Sequence, residues 1–153
     1  MLACTREEPP PPPPAPAVPT GKVELIEAPV DGDIATFIAG EVARGALDHV
    51  PVLVYVGATW CKPCHVFHAA AEAGTLDRVL GALRFLEFDL DRDGRDLAAA
   101  GYTSEYVPLF ARPRPDGHAS RQQTAGVATK GDYLEQLGPR LRQLVVSPPD
   151  HDL

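Results

Sequence analysis

The apolar positions along the chain switch between two periods, and the switch points mark out its elements. Val23-Glu24-Leu25-Ile26 reads as a short strand, and Ile34, Phe37, Ile38 and Val42 follow at helical spacing. Pro51-Val52-Leu53-Val54-Tyr55-Val56 is a continuous apolar run rich in β-branched residues, the pattern of a strand buried on both faces in the middle of a sheet. Cys61 to Ala73 reads as helix, Thr75 to Leu80 as a shorter helical turn, and Arg84 to Leu90 as a second central strand. A helix near Arg95 to Ala100 leads to Val107-Pro108. Beyond it, Leu109-Phe110-Ala111 and Arg121 to Thr124 pair across a turn at Pro115-Asp116-Gly117, where proline presets φ and glycine accepts a positive one. Leu134, Leu137, Leu141 and Leu144 form the stripe of a last helix, with Thr129 and Asp132 spaced as a capping pair at its start. Gly138-Pro139 inside that stripe predicts a kink or an early end. Strands and helices that alternate and then close on a hairpin predict an α/β domain: a central mixed β-sheet with helices on both faces.

Composition sets the limits of that domain. Eight of the 17 prolines fall within the first twenty residues, at Pro9 to Pro14, Pro16 and Pro19, in a stretch with almost nothing to bury. Residues 1–21 are therefore read as a disordered tether, 22–147 as the folded domain and 148–153 as a disordered tail. At ~3.1 Å per residue in the polyproline conformation, Cys4 to Thr20 could hold the domain roughly 50 Å from an anchor. With 21 acidic against 14 basic side chains the net charge is -7, so the basic footprint of a nucleic-acid binder is missing and no nucleic-acid partner is expected. No apolar run approaches the ~20 residues a spanning helix needs.

Two of the three cysteines stand where the buried strand gives way to a helix, in Trp60-Cys61-Lys62-Pro63-Cys64-His65. A helix N-terminus carries free N–H groups and about half a unit of positive charge, which stabilises a thiolate placed there. Since only the thiolate attacks a disulfide, Cys61, expected to be the more exposed, is the nucleophile, and Cys64, one turn later, resolves the mixed disulfide. Pro63 is tolerated in a first turn and stiffens it, and Lys62 adds a positive charge beside the sulfur. The redox group is then the Cys61–Cys64 pair itself, with no added cofactor.

The same residues admit other readings. Cys61, Cys64 and His65 fit the C-x-x-C-H pattern of covalent haem attachment, although the strand–turn–helix setting argues against it and the chain's one methionine, a common second haem ligand, is Met1. With His68 added, two sulfurs and two nitrogens fall within a short helical stretch, whereas structural zinc usually draws its ligand pairs from separated segments. The simpler reading makes His65 and His68 partly exposed helix residues. Asp89, Asp91, Asp93 and Gly94 suggest a calcium loop, but the twelfth position holds Ala100 in place of glutamate, so the run is read as a solvated loop.

Taken together, the apolar strand leading into Trp60, the Cys61-Lys62-Pro63-Cys64 turn, Val107-Pro108 and the Gly126 to Gly131 segment before the last helix resemble the thioredoxin family over most of residues 22–146. The resemblance implies a thioredoxin-like fold, a thiol–disulfide oxidoreductase, protein disulfides as substrates, an upstream thiol as electron donor and a monomer. It also implies a cis Pro108 beside the sulfurs, with Val107 offering backbone hydrogen bonds to substrate, and Trp60 as a surface that receives substrate while packing at the rim of the core. Family members carry a buried acid five residues before the tryptophan and a lysine on the next central strand; here those places hold Tyr55 and Glu87. Glu87 is therefore a candidate acceptor for the Cys64 proton, against the plainer reading of a strand-end glutamate reaching solvent.

Cys4 lies outside the fold. Met1-Leu2-Ala3-Cys4 looks like the end of a bacterial lipoprotein signal, and a proline-rich spacer after it suits a tethered envelope protein. The chain shows no apolar segment before Cys4, so the expectation is a periplasmic or cell-envelope protein, lipid-anchored through Cys4 if a signal precedes Met1, and a cytoplasmic one otherwise. The functional expectation is a reductase of disulfides in exported proteins. The alternative from another class is a non-catalytic binding module that presents or holds partner cysteines.

Overall fold

A computed structural model describes residues 10–11, 20–126 and 132–147. Cys4, most of the proline-rich segment, Thr129 with the rest of 127–131, and the 148–153 tail lie outside the described residues. The elements run β1 (Val23–Glu27), α1 (Ile34–Asp48), β2 (Val52–Gly57), α2 (Lys62–Glu72), α3 (Asp77–Leu80), β3 (Leu83–Asp89), α4 (Leu90–Ala99), β4 (Leu109–Pro113), β5 (Ala119–Ala125) and α5 (Tyr133–Val146). They form one five-stranded mixed sheet in the order β1-β3-β2-β4-β5. β1, β3 and β2 are parallel, and β4 and β5 are added antiparallel at the far side. Among the described residues no helix is long and apolar enough to cross a membrane.

Strand β2 is the centre of the sheet, and its alternate side chains feed two separate cores. Leu53 and Tyr55 point to one face with Phe85 of β3 and Phe110 of β4, and are covered by Phe67 of α2 and by Leu137, Leu141 and Leu144 of α5. Val54 and Val56 point to the other, with Leu86, Phe88, Ile38 of α1 and Leu97 of α4. A strand apolar at every position is thus explained by burial on both sides. On the first face, the Phe67 ring stands 4.7 Å from Tyr55 and 5.1 Å from both Phe85 and Phe110. This cluster clamps the helix that carries the cysteines onto three strands at once.

The helix ends follow local chemistry. Asp33 caps α1 by accepting from the Thr36 N–H at 2.7 Å, and Asp132 caps α5 through the N–H groups of Leu134 and Glu135. Helix α4 begins at Leu90, five residues before the expected start, and the acidic run read as a solvated loop is its N-terminus. Asp89 is the N-cap, accepting from the N–H groups of Asp91 and Arg92 at 2.9 and 3.0 Å, while the Asp93 carboxylate accepts from the Asp89 N–H at 3.0 Å. Carboxylates at this end complement the helix dipole, which is why an acidic cluster here builds helix.

Helix α5 does not end early at Gly138-Pro139 but continues through the proline to Val146. Leu137, Leu141 and Leu144, on either side of the proline, are buried against the sheet, and this tertiary packing outweighs one missing N–H. Gly138 is needed for a different reason: a Cβ there would lie 2.7 Å from Val79 Cγ1, so it lets α5 approach α3 closely. At the far end of α5, the Arg112 guanidinium of β4 donates to the carbonyls of Leu144, Val145 and Ser147, satisfying groups a helix C-terminus leaves open. Removing the central ring should show how much the fold depends on it. Phe67→Ala is expected to lower unfolding free energy by about 3–5 kcal/mol in urea titrations.

Candidate active site

The site begins where β2 stops. After Gly57 the chain turns through Ala58, Thr59 and Trp60, with the Cys61 N–H donating to the Ala58 carbonyl at 3.1 Å. Cys61 is the N-cap of α2 in an extended conformation, and Lys62 and Pro63 occupy the first helical positions. The Cys61 sulfur accepts the Cys64 N–H at 3.2 Å. That contact is what a helix N-terminus offers a thiolate: a donor whose only other partner would be water.

Cys61 and Cys64 are joined as a disulfide across a Cα–Cα distance of 5.2 Å. The expectation that Cys61 is the more exposed does not hold in this oxidised form, in which Cys61 and Cys64 are 3% and 2% exposed. Both sulfurs are tucked against the core cluster of the α2 face. The difference between them is electrostatic, since the cap position belongs to Cys61 alone.

Around the sulfurs, Trp60 is 63% exposed, and its indole N–H donates to the Asp91 carboxylate at 3.0 Å. Asp91 sits in the first turn of α4, so the helix start that the acidic run conceals also fixes the tryptophan. Lys62 is exposed on the rim. The Val107–Pro108 peptide bond is cis, and Pro108 is buried. Because Leu109 pairs with Val56, the strand register sets Pro108 at the end of the sheet where β2 runs into the cysteine turn. Gly126 lies against it: its N–H donates to the Pro108 carbonyl, and a Cβ there would fall 2.5 Å from Pro108 Cδ.

Behind Cys64 is a cleft of about 290 Å³ whose lining includes Cys64, Tyr55, His68 and Glu87. Tyr55 and Glu87 are direct partners in the β2–β3 register and so face the same side, toward α2. Glu87 does not simply extend to solvent. Its side chain is 29% exposed, and Oε1 accepts from His68 Nε2 at 2.8 Å. Burial pushes the Tyr55 phenol far above its ordinary range, with the Glu87 charge adding to the effect, so it remains protonated. Gly57 makes room for it: a Cβ at this position would collide with the Tyr55 hydroxyl and lie 3.5 Å from the Cys64 sulfur.

The four side chains considered as a metal set go separate ways. His65 Nε2–H donates to the Thr59 carbonyl at 2.8 Å, His68 pairs with Glu87, and the sulfurs are bonded to each other. Among the described residues no group of three or more His, Cys, Asp or Glu side chains is arranged to hold a metal ion. Sequence reading overlooked the parts played by His68, Tyr55 and Asp91. A signal existed for His68 alone, because it lies one helical turn after Cys64 and so shares its face of α2.

No protein-family model matches the chain. A thioredoxin H-type from Chlamydomonas reinhardtii is 34% identical over 70 residues, a match covering 46% of this chain and 59% of that protein. Among solved structures, a thioredoxin from Nicotiana alata superposes with a TM-score of 0.53 at 15% identity, covering 86% of this chain and 99% of its own. A disulphide isomerase from Xylella fastidiosa also reaches 0.53, at 18% identity, covering 72% of this chain and 92% of its own. These likenesses show the thioredoxin fold.

The tight corner at Gly57 is open to test. Gly57→Ala is expected to destabilise the oxidised protein by about 1–3 kcal/mol through overpacking against Tyr55. Gly40→Ala, at a helical position with open space beyond it, should be neutral or stabilising by up to about 1 kcal/mol in the same thermal unfolding series.

Proposed function

We propose that this chain, a thioredoxin-fold protein, is a thiol–disulfide oxidoreductase in which Cys61 attacks and Cys64 resolves. The observation that carries the reading is the Cys61–Cys64 disulfide at the start of α2, with the Cys61 sulfur at the cap position accepting the Cys64 N–H. In the reduced protein that bond and the helix dipole favour thiolate at Cys61, and exposed Lys62 favours it further. The thiolate displaces one sulfur of a protein disulfide and forms a mixed disulfide. Cys64 then attacks Cys61, closes the internal disulfide and releases the substrate as a dithiol. Pro63 stiffens the turn, exposed Trp60 offers an apolar surface to the incoming chain, and Val107 presents its backbone beside cis Pro108. Glu87 belongs to the path by which Cys64 loses its proton.

The reductive direction is supported by the resemblance of the motif's x-Pro dipeptide to that of reducing family members. An upstream thiol would supply the electrons, and the sulfur pair would need no further cofactor. Disulfides of exported proteins as substrates, a cell-envelope location and a lipid on Cys4 are supported by the residues around Cys4 and the prolines that follow it.

Insulin reduction driven by dithiothreitol tests the chemistry. The wild-type protein should accelerate it, Cys61→Ser should fall to the rate of dithiothreitol alone, and Cys64→Ser should accumulate a mixed disulfide visible by mass spectrometry. A wild-type rate no greater than that of Cys61→Ser would leave the binding-module reading. In the same spectra of native protein, added acyl mass on Cys4 is expected, and an unmodified Cys4 removes the anchor.

A further inference from the structure

We infer that His68 takes the proton from Cys64 during turnover, with Glu87 as the positioning residue that orients its ring. This deepens the oxidoreductase reading and rests on it. Cys64 and His68 are one turn apart on the same face of α2, and both line the cleft that Glu87 closes from β3. His68 Nε2–H donates to Glu87 Oε1 at 2.8 Å, which fixes the tautomer and leaves Nδ1 as the basic nitrogen. A base oriented by a third group beside a nucleophile is the general form of an activated thiol.

The choice between imidazole and carboxylate as acceptor follows from proton affinities. An unperturbed thiol titrates near ~8.5, an imidazole near ~6.5 and a glutamate near ~4.3, so the proton moves less far uphill onto the ring than onto a bare carboxylate. An adjacent carboxylate then stabilises the imidazolium that results.

The remaining charged groups of the cleft support this. Glu27 of β1 and Asp89 of β3 add negative charge. Arg92 of α4 is engaged with Asp93 at 2.8 Å and Glu27 at 3.9 Å, and the His65 ring N–H is held by the Thr59 carbonyl. Tyr55 stands with its ring 5.6 Å from that of His68 and its hydroxyl at Gly57, beside the Cys64 sulfur. Its buried phenol stays protonated and so does not compete as a base.

Cys64 Sγ–H gives its proton to His68 through the solvent of the cleft, and the electron pair left on sulfur forms the bond to Cys61 Sγ. The bond between Cys61 Sγ and the substrate sulfur breaks, and the substrate leaves as a thiolate that takes a proton from the imidazolium or from water. One substrate disulfide is reduced and one enzyme dithiol is oxidised.

Two measurements decide it. In the full chain carrying Cys61→Ser, Cys64 remains a free thiol, and the His68 ring resonances are followed by NMR against pH. A second inflection that tracks Cys64 ionisation is expected, absent when Cys64→Ser is added; identical titrations in the two proteins overturn the inference. In single-turnover reduction of insulin by the pre-reduced protein, His68→Gln should slow resolution on the order of a hundredfold at pH 7.5. The deficit should shrink toward pH 9, where Cys64 loses its proton to solvent unaided, and Glu87→Gln should follow the same trend less strongly. A loss in His68→Gln that is equal at every pH, or no loss, counts against His68. If wild-type protein does not exceed Cys61→Ser, it is the oxidoreductase reading that fails, and the NMR comparison still decides whether His68 and Cys64 share a proton.

Discussion

The clamp of Phe67 on Tyr55, Phe85 and Phe110 is the contact on which the site depends. Three strands and α2 meet in these four rings, all fully buried or nearly so. An exchange of the proposed kind needs its sulfurs held on a rigid frame, because a small misplacement of an attacking atom costs rate steeply. Here the frame is the β2–α2 corner. The rings fix the helix against the sheet, and the helix start then places the Cys61 sulfur under its N–H donor.

The same corner explains why small residues appear where they do. Gly57 and Gly126 are each closely approached by a bulky neighbour, one by the Tyr55 hydroxyl and the other by Pro108. Each leaves a bulky neighbour the space a Cβ would occupy. In both cases the glycine is required by a neighbour's volume and not by its own backbone angle.

Much of this was legible in the chain itself. The doubly buried β2 announces its place by unbroken apolarity, and the cysteine pair at its end announces a helix start with redox chemistry. The start of α4 was hidden because aspartates favour both loops and helix N-termini, and only the bonds of Asp89 and Asp93 tell them apart. The course of α5 through Pro139 was hidden because local propensity opposes it while distant packing supports it. The His68–Glu87 pair was hidden because its members come from different elements, and nothing in a linear reading sets the partner of a strand carboxylate. Residues brought together by the sheet register, such as Tyr55 and Glu87, become visible only once the register is known.

The two sulfurs, three residues apart, occupy opposite electrostatic settings. Cys61 faces the positive end of α2 and accepts an N–H, so its charged form is favoured. Cys64 lines a cleft that also holds Glu27, Glu87 and Asp89 against Arg92 and the rings of His65 and His68, so it faces more carboxylates than guanidinium groups. Under the proposed exchange chemistry this contrast favours Cys61 as the attacking sulfur, without any difference in exposure. It also means that the second sulfur cannot act until its proton is removed. The carboxylates that oppose a negative charge on Cys64 are the ones that attract a positive charge on the neighbouring ring, so under the proposed exchange the environment that delays the resolving step also prepares the group that permits it.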